Sequence, residues 1–200
     1  MIDNLNFYRK AHLMNPNSPE ILLEIGNSLR EEGKLKEAIN AFEMCIKLNT
    51  YYYEAHYNQS LCLLASGDYK NGWIKYRYRK YLKTPLKVHY EPKFPPWNGN
   101  LLDKSRELIL ISEQGLGDNI QFMRYAIVLR NMGFRVSLSV LDPLLNLVKS
   151  SEITENVYSL RELQSIKDAY WTSILSLPEH LKVSPEQPIY TEPYIKVNTS

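Results

Sequence analysis

The first 85 residues of this 200-residue chain match themselves when the sequence is shifted by 34 positions. In that alignment Tyr8, Phe42 and Tyr76 coincide, and Gly33 coincides with Gly67. Repeats of this length consist of two helices, and each repeat buries its apolar face only against its neighbours. The period therefore predicts stacked helical hairpins in the first half of the chain.

The apolar positions within each unit resemble those of the tetratricopeptide repeat. Ile25-Gly26 forms a large–small pair on the first helix, Gly33 ends that helix, and Phe42 lies on the inner face of the second helix. The predicted units are a partial one at residues 1–18 and full ones at 19–52 and 53–85. Because a stack usually needs three or more units, we expect this short array to lean on the domain that follows.

Composition and charge exclude several classes of partner. The net charge of +2 gives no global argument for nucleic acid. The basic, aromatic stretch from Gly72 to Tyr81 is interpreted as helix packing, with Lys75 and Arg79 on a solvated face. No apolar run is long enough to span a membrane and the start of the chain lacks a signal-peptide pattern, so we expect a cytoplasmic protein.

A segment rich in proline and aromatic residues separates the two halves. Four prolines lie between Thr84 and Asn100, and this density blocks both helix and central strand. Tyr90, Phe94 and Trp97 offer enough apolar surface to hold the segment in place. We therefore predict an ordered connector over residues 86–104.

Residues 105–200 alternate between strand and helix patterns. The clear elements are a strand at Leu108–Ser112, a helix at Asp118–Met132, a strand at Phe134–Val140, and a helix that starts with Asp142 as its cap. Weaker patterns indicate strands near residues 157–160, 169–171 and 194–197, with a short helix around 161–166. The alternation predicts a Rossmann-like parallel sheet, so the fold class of the whole chain is α + α/β.

The turn from the first strand into the first helix of this domain is the candidate site. Ligands bind outside the carboxyl ends of parallel strands, and the turn at Gly115 and Gly117 lies at such an end. Glycines permit a tight turn and close approach of the backbone to a ligand, and the following helix directs its unpaired N–H groups there. We expect both glycines to be needed for the turn.

A closer resemblance lies in the turn and the helix after it. They read Glu113-Gln114-Gly115-Leu116-Gly117-Asp118-Asn119-Ile120-Gln121-Phe122-Met123-Arg124-Tyr125 and are followed by Gly133-Phe134-Arg135-Val136. The pattern, together with Pro95-Pro96-Trp97-Asn98-Gly99, resembles bacterial proteins that fuse tetratricopeptide repeats to a glycosyltransferase domain. That domain is similar to the family-9 heptosyltransferases of lipopolysaccharide synthesis, which have the two-domain GT-B fold.

The resemblance implies transfer of a sugar from a nucleotide-sugar donor to a glycan or protein acceptor. Asp118 matches the Gly-Asp of the pattern and is the candidate general base, although an aspartate there is also a helix cap. The candidate substrate-binding residues are Glu113, Gln114, Gly115, Gly117, Asn119, Gln121 and Arg124. Arg124 has an alternative reading as a structural ion-pair partner. No Asp-x-Asp triplet occurs, so we expect metal-independent transfer without a cofactor.

In the family that the chain resembles, a second domain holds most of the donor. The sequence ends at Ser200, where the first domain of such an enzyme would end. We therefore expect an acceptor-side half that is incomplete or inactive alone.

Two other functions stay open. The repeats resemble modules that receive protein or peptide partners, and Asn27, Tyr57 and Asn58 are expected to be exposed for that purpose; the α/β domain would then be non-catalytic. Alternatively, an acidic residue before the first glycine and another after the second strand resemble an S-adenosylmethionine-dependent methyltransferase. Those two residues would be Glu113 and Asp142.

Overall fold

The computed structural model describes residues 4–84, 86, 88–100, 103–184 and 192–196. The chain divides into two compact units, Met1–Pro85 and Leu86–Ser200. The first unit is helical and the second is built on a four-stranded parallel sheet. This arrangement is the α + α/β class that the sequence predicts.

The described part of the first unit contains five α-helices and a 3-10 helix. They are α1 (Asn4–Met14), α2 (Pro19–Glu31), α3 (Leu35–Leu48), α4 (Tyr53–Ala65), α5 (Tyr69–Tyr76) and the 3-10 helix Arg77–Tyr81. The helices α2 and α4 begin 34 residues apart, and so do α3 and α5. The repeat period read from the sequence is therefore confirmed as a repeat of helix pairs.

Each helix pair closes around a small residue. A Cβ atom on Gly26 of α2 would lie 2.4 Å from Cε1 of Phe42 on α3, a ring that is fully buried. Between the members of each pair, Gly33 and Gly67 have φ values of +73° and +90°. Left-handed backbone at these positions favours glycine and turns the chain back after the first helix.

Two sequence expectations about this unit are wrong. Arg79 is 1% exposed instead of solvated: its Nη1 donates to the carbonyl of Tyr76 at 3.2 Å and its guanidinium lies over the Tyr76 ring. The reason is that α5 gives way to the 3-10 helix, which changes the face on which Arg79 lies. Asn58 is buried, and its Nδ2 donates to Oδ1 of Asn27 at 2.8 Å, so this pair joins α4 to α2.

The four strands of the second unit are all parallel. They are β1 (Glu107–Ile111), β2 (Arg135–Val140), β3 (Val157–Ser159) and β4 (Ala169–Ser173), in the order β3-β2-β1-β4. The central strand β1 pairs with both β2 and β4, and its residues from Leu108 to Ile111 are fully buried. This order is the first half of a doubly wound sheet, a fold that hosts many functions.

Helices and turns join these strands. They are α6 (Leu116–Phe122), α7 (Arg124–Asn131), α8 (Asp142–Ser151), the 3-10 helices Glu162–Ser165 and Ile174–Ser176, and α9 (Leu177–His180). The single helix predicted at Asp118–Met132 is divided at Met123. Side-chain donors reach the carbonyls just before the break: the Tyr194 hydroxyl donates to Ile120 at 2.6 Å and Arg124 Nε to Gln121 at 2.8 Å.

The connector runs beside the sheet. Trp97 donates its backbone N–H to the carbonyl of Trp171 on β4, and Trp171 donates to the carbonyl of Pro95. Phe94 and Trp97 are buried. Farther towards the N-terminus, Val88 pairs with Glu113 in an isolated antiparallel bridge. The connector therefore reaches from the carboxyl end of β1 to the outer edge of β4.

The strand expected at residues 194–197 is not formed in its described part, because residues 194–196 have no regular secondary structure. Val197 lies outside the described residues. In the described ranges, no helix combines the length and apolar character that crossing a membrane requires.

Candidate functional site at the end of the central strand

The candidate site begins where β1 leaves the core of the sheet. Ser112 continues the ladder for one more residue, since its N–H donates to the carbonyl of Ser139 at 2.9 Å. Glu113 follows and is fully buried. The sequence prediction that this turn lies at the carboxyl end of a parallel strand is confirmed. The structure also shows that this strand is central in the sheet.

The side chain of Asn119 closes the turn. Its Oδ1 accepts the N–H of Glu113 at 3.2 Å, while its Nδ2 donates to the carbonyls of Glu113 at 3.1 Å and Gly115 at 2.7 Å. Asn119 is fully buried. Both protons of its amide group are therefore engaged by the turn, and the side chain holds the loop in one shape.

The backbone of the turn differs from the expectation based on its glycines. Its left-handed residue is Gln114, with φ of +61°, whereas Gly115 has φ of −82° and Gly117 is outside the left-handed region. A Cβ on Gly117 would meet no atom within 4 Å. The expectation that both glycines are needed for the turn is therefore wrong. At Gly117 the fold leaves open space that a side chain would otherwise fill.

Asp118 caps the helix with one oxygen. Its Oδ2 accepts the N–H of Gly115, the N-cap residue of α6, at 3.2 Å. Within the part of the chain that the structure describes, Oδ1 has no hydrogen-bond partner, and the side chain is half-exposed. The helix-cap reading is thus correct, and it leaves the second carboxylate oxygen available to a ligand.

Glu113 connects two strands at the same edge of the sheet. The Ser173 hydroxyl at the end of β4 donates to Glu113 Oε2 and accepts the N–H of Leu175 at 3.2 Å. Since the glutamate side chain is fully buried, this carboxylate does not face solvent. In this arrangement it supports the site from below.

Gln121 and Arg124 lie one turn farther along. Arg124 Nη2 donates to the hydroxyl of Tyr194 at 3.3 Å, and its guanidinium lies 5.1 Å from the centroid of that ring. No carboxylate pairs with Arg124 among the described residues, so the ion-pair reading is wrong there. The carbonyl of Gln121 accepts from Arg124, and its side chain is exposed.

The connector adds a residue that sequence reasoning missed. His89 donates its N–H to the carbonyl of Ser112 at 3.1 Å, and its Nδ1 lies 2.9 Å from the Ser112 hydroxyl. The imidazole is exposed at the carboxyl end of β1. No sequence signal marks this residue, because it lies 23 positions before Ser112 and is brought there by the bridge between Val88 and Glu113.

Asp142 lies after the neighbouring strand, as the methyltransferase reading requires. It is exposed in the first turn of α8, but the N-cap residue is Leu141, so the cap predicted for Asp142 is wrong. Within the described ranges, no three His, Cys, Asp or Glu side chains form a cluster that could hold a metal ion.

Comparisons with known proteins add little. No protein-family model matches the chain, and neither does any curated protein. One solved structure that matches is a mutant of the O-GlcNAc transferase from Thermobaculum terrenum, with 17% sequence identity and a TM-score of 0.37. The match covers 76% of this chain and 30% of that chain, so this chain spans less than a third of the matched length. A TM-score at this level does not establish a shared fold.

Proposed function

We propose that the second unit is the acceptor-side part of a metal-independent GT-B glycosyltransferase of the family-9 type. It deprotonates an acceptor hydroxyl that attacks the sugar of a nucleotide-sugar donor, and the helical repeats hold a protein or peptide partner. The observation that carries this proposal is Asp118, whose carboxylate is fixed by one oxygen and open at the other, at the end of the central strand.

The geometry of Asp118 suits a general base. A base must be held within hydrogen-bond reach of the proton it accepts, and its orientation must survive substrate binding. The hydrogen bond from Gly115 to Oδ2 supplies that orientation without occupying Oδ1. We therefore assign Oδ1 as the atom that accepts the hydroxyl proton of the acceptor.

The other predicted residues divide into two roles. Gly117 lies beside open space and permits close approach of a ligand to the backbone. Gln114, Gln121 and Arg124 lie on the accessible side of the turn and are proposed to contact the substrates. Glu113 and Asn119 are buried, so we assign them to positioning the turn rather than to direct contact with the sugar.

The test is release of nucleoside diphosphate from a panel of nucleotide sugars, with water or added acceptors as the nucleophile. Asp118→Asn keeps an acceptor oxygen for Gly115 but removes the base, so we expect the rate to fall by about 10² to 10⁴-fold. Asp142→Asn is the matched control, because it removes a carboxylate after the neighbouring strand and is expected to leave the rate unchanged.

Three results would oppose the proposal. Turnover by Asp118→Asn at the wild-type rate would exclude Asp118 as the base. Absence of both turnover and binding, with amide resonances of Gly115 and Gly117 unmoved by every nucleotide sugar, would exclude sugar-transfer chemistry in this chain. Binding of S-adenosylmethionine that Asp142→Asn weakens would support the methyltransferase alternative instead.

The second candidate is a protein-interaction module whose α/β unit is non-catalytic. It is favoured by large aromatic side chains exposed on the repeats, with Tyr51 76% and Tyr81 59% exposed. Partner binding that is unaffected by Asp118→Asn, in a chain without sugar-transfer activity, would favour this candidate.

A further inference from the structure

The first unit contains a cavity of about 390 Å³ with an unusual lining. It lies at the turn between α3 and α4 and is bounded on one side by the 3-10 helix. We call it the tyrosine pocket, and define it by four aromatic and two acidic side chains: Tyr51, Tyr52, Tyr53, Tyr81, Glu20 and Glu54. All of them belong to the helical unit, so the pocket is separate from the candidate site of sugar transfer.

Three of the tyrosine rings contact one another. The Tyr53 ring centroid lies 5.2 Å from that of Tyr81 and 6.5 Å from that of Tyr51. Behind them, Tyr78 stacks on Tyr53 at 5.9 Å and on the His56 ring at 4.0 Å. The inner rings are thus held by stacking, whereas Tyr51 and Tyr81 present most of their surface to solvent.

The electrostatics of the pocket favour a cation. Glu20 accepts a hydrogen bond from the Ser18 hydroxyl, which lowers the pKa of this carboxyl and keeps it ionised at neutral pH. Burial raises the pKa of the Tyr52 phenol, and the negative charges of Glu20 and Glu54 raise that pKa further. One cationic residue, Lys83, also lines the cavity, so the two carboxylates outnumber it.

The backbone at the turn offers no site for an anion. The N–H of Tyr51 donates to Oδ1 of Asn49, that of Tyr52 to the carbonyl of Asn49, and that of Tyr53 to the carbonyl of Tyr51. The donors that an anion would need at the start of α4 are therefore used within the turn. The remaining features of the cavity, ring faces and carboxylates, both attract positive charge.

We propose that the tyrosine pocket binds the cationic side chain of an arginine or lysine in an extended segment of a partner protein. The charged head lies against the faces of Tyr51, Tyr53 and Tyr81, and Glu20 and Glu54 supply charge complementarity at the rim. This site is independent of the proposed sugar transfer and of Asp118, so either proposal can fail without the other.

The test uses the full chain and four probes. They are a capped five-residue glycine–serine peptide with a central arginine, the same peptide with lysine, the same peptide with neutral citrulline, and the neutral disaccharide maltose. Binding is followed by NMR shifts of tyrosine ring resonances. We expect the arginine and lysine peptides to shift the pocket resonances, citrulline to bind at least about tenfold more weakly, and added salt to reduce the shifts.

Exposed residues provide variants that keep the fold. Tyr51→Ala and Tyr81→Ala each remove one ring face and are expected to weaken binding of the arginine peptide about threefold to tenfold. Glu54→Gln, which keeps the size of the side chain, is expected to weaken it and to reduce its dependence on salt. Phe7→Ala is the matched control, because Phe7 is an exposed aromatic residue on α1 outside the pocket.

Equal binding of the arginine and citrulline peptides would overturn the proposal, since charge would then not matter. So would an absence of shifts at millimolar peptide, or unchanged binding in both tyrosine variants. Maltose that shifts the pocket resonances more strongly than the charged peptides would assign the site to a glycan and reject the cation.

Discussion

Asn119 exchanges two hydrogen bonds with the backbone of Glu113, six positions before it in the chain. With the third bond, to the carbonyl of Gly115, this one amide closes the turn that carries every residue of the candidate site. The shape of the site therefore depends on a buried side chain that does not contact solvent. Stability and site geometry should fail together when it is removed.

Asn119→Ala tests that dependence. Because the substitution leaves the N–H of Glu113 and two carbonyls without their partner, we expect it to lower the free energy of unfolding by about 2 to 4 kcal/mol. Urea unfolding measures the loss, and hydrogen exchange at residues 113–119 shows whether it is local. Gln121→Ala is the control, expected to stay within about 0.5 kcal/mol of wild type because its side chain is exposed. Equal stability of the two variants would contradict the assigned role.

Asp118 is predicted to contribute to stability through its cap alone. Asp118→Ala removes the acceptor for the N–H of Gly115 and should lower the free energy of unfolding by about 0.5 to 2 kcal/mol. Asp118→Asn retains an acceptor oxygen, so most of that stability should remain. Thermal unfolding of both variants distinguishes the outcomes. If the alanine variant is as stable as wild type, the cap hydrogen bond contributes nothing and the carboxylate is free in solution.

Two glycine-to-alanine changes should have opposite consequences. In Gly26→Ala the new methyl group meets the fully buried ring of Phe42, so we expect a loss of about 1 to 3 kcal/mol from overpacking. In Gly117→Ala it meets open space in a helix, so we expect no loss, or a gain of up to about 1 kcal/mol. Denaturant unfolding compares them. If Gly117→Ala is stable and still fails to bind nucleotide sugars, the glycine serves a ligand.

His56 should make the first unit sensitive to mild acid. Burial lowers the pKa of this imidazole below its ordinary value of 6.5, and the nearby charge of Lys75 lowers it further, while the hydrogen bond to the Thr50 carbonyl acts in the opposite direction. A lowered pKa in the folded state means that the unfolded chain binds more protons at low pH. The stabilisation is therefore complete above about pH 6.5 and is lost as the pH falls towards the folded pKa.

The measurement is urea unfolding of the first unit at pH 7 and at pH 5, followed at NMR resonances of α4. His56→Phe keeps a ring for stacking on Tyr78 and should show a smaller loss of stability between the two pH values than wild type. His89→Gln, which alters an exposed histidine of the second unit, serves as the control and should show the wild-type loss. Parallel pH curves for all three proteins would rule out His56 as the source.

Local patterns predicted much of this fold. The period of 34 residues located the helix pairs because each repeat uses the same contacts, such as Gly26 against Phe42. Alternating apolar segments located all four strands of the sheet, because strands buried on both faces are short apolar runs. Where the predictions were wrong, a distant contact intervened: the carbonyls before Met123 accept from side chains, including that of Tyr194, and the predicted helix is divided.

For the candidate site, the sequence by itself determined which segment forms the turn and that Asp118 begins a helix. Those features depend on neighbours within a few residues, and strand, turn and capping preferences are local. Only the tertiary structure decided that Glu113 is buried against Ser173, that His89 reaches Ser112, and that Arg79 is buried instead of solvated. Each of these depends on how strands and helices pack together, and packing joins residues whose separation in the chain carries no signal.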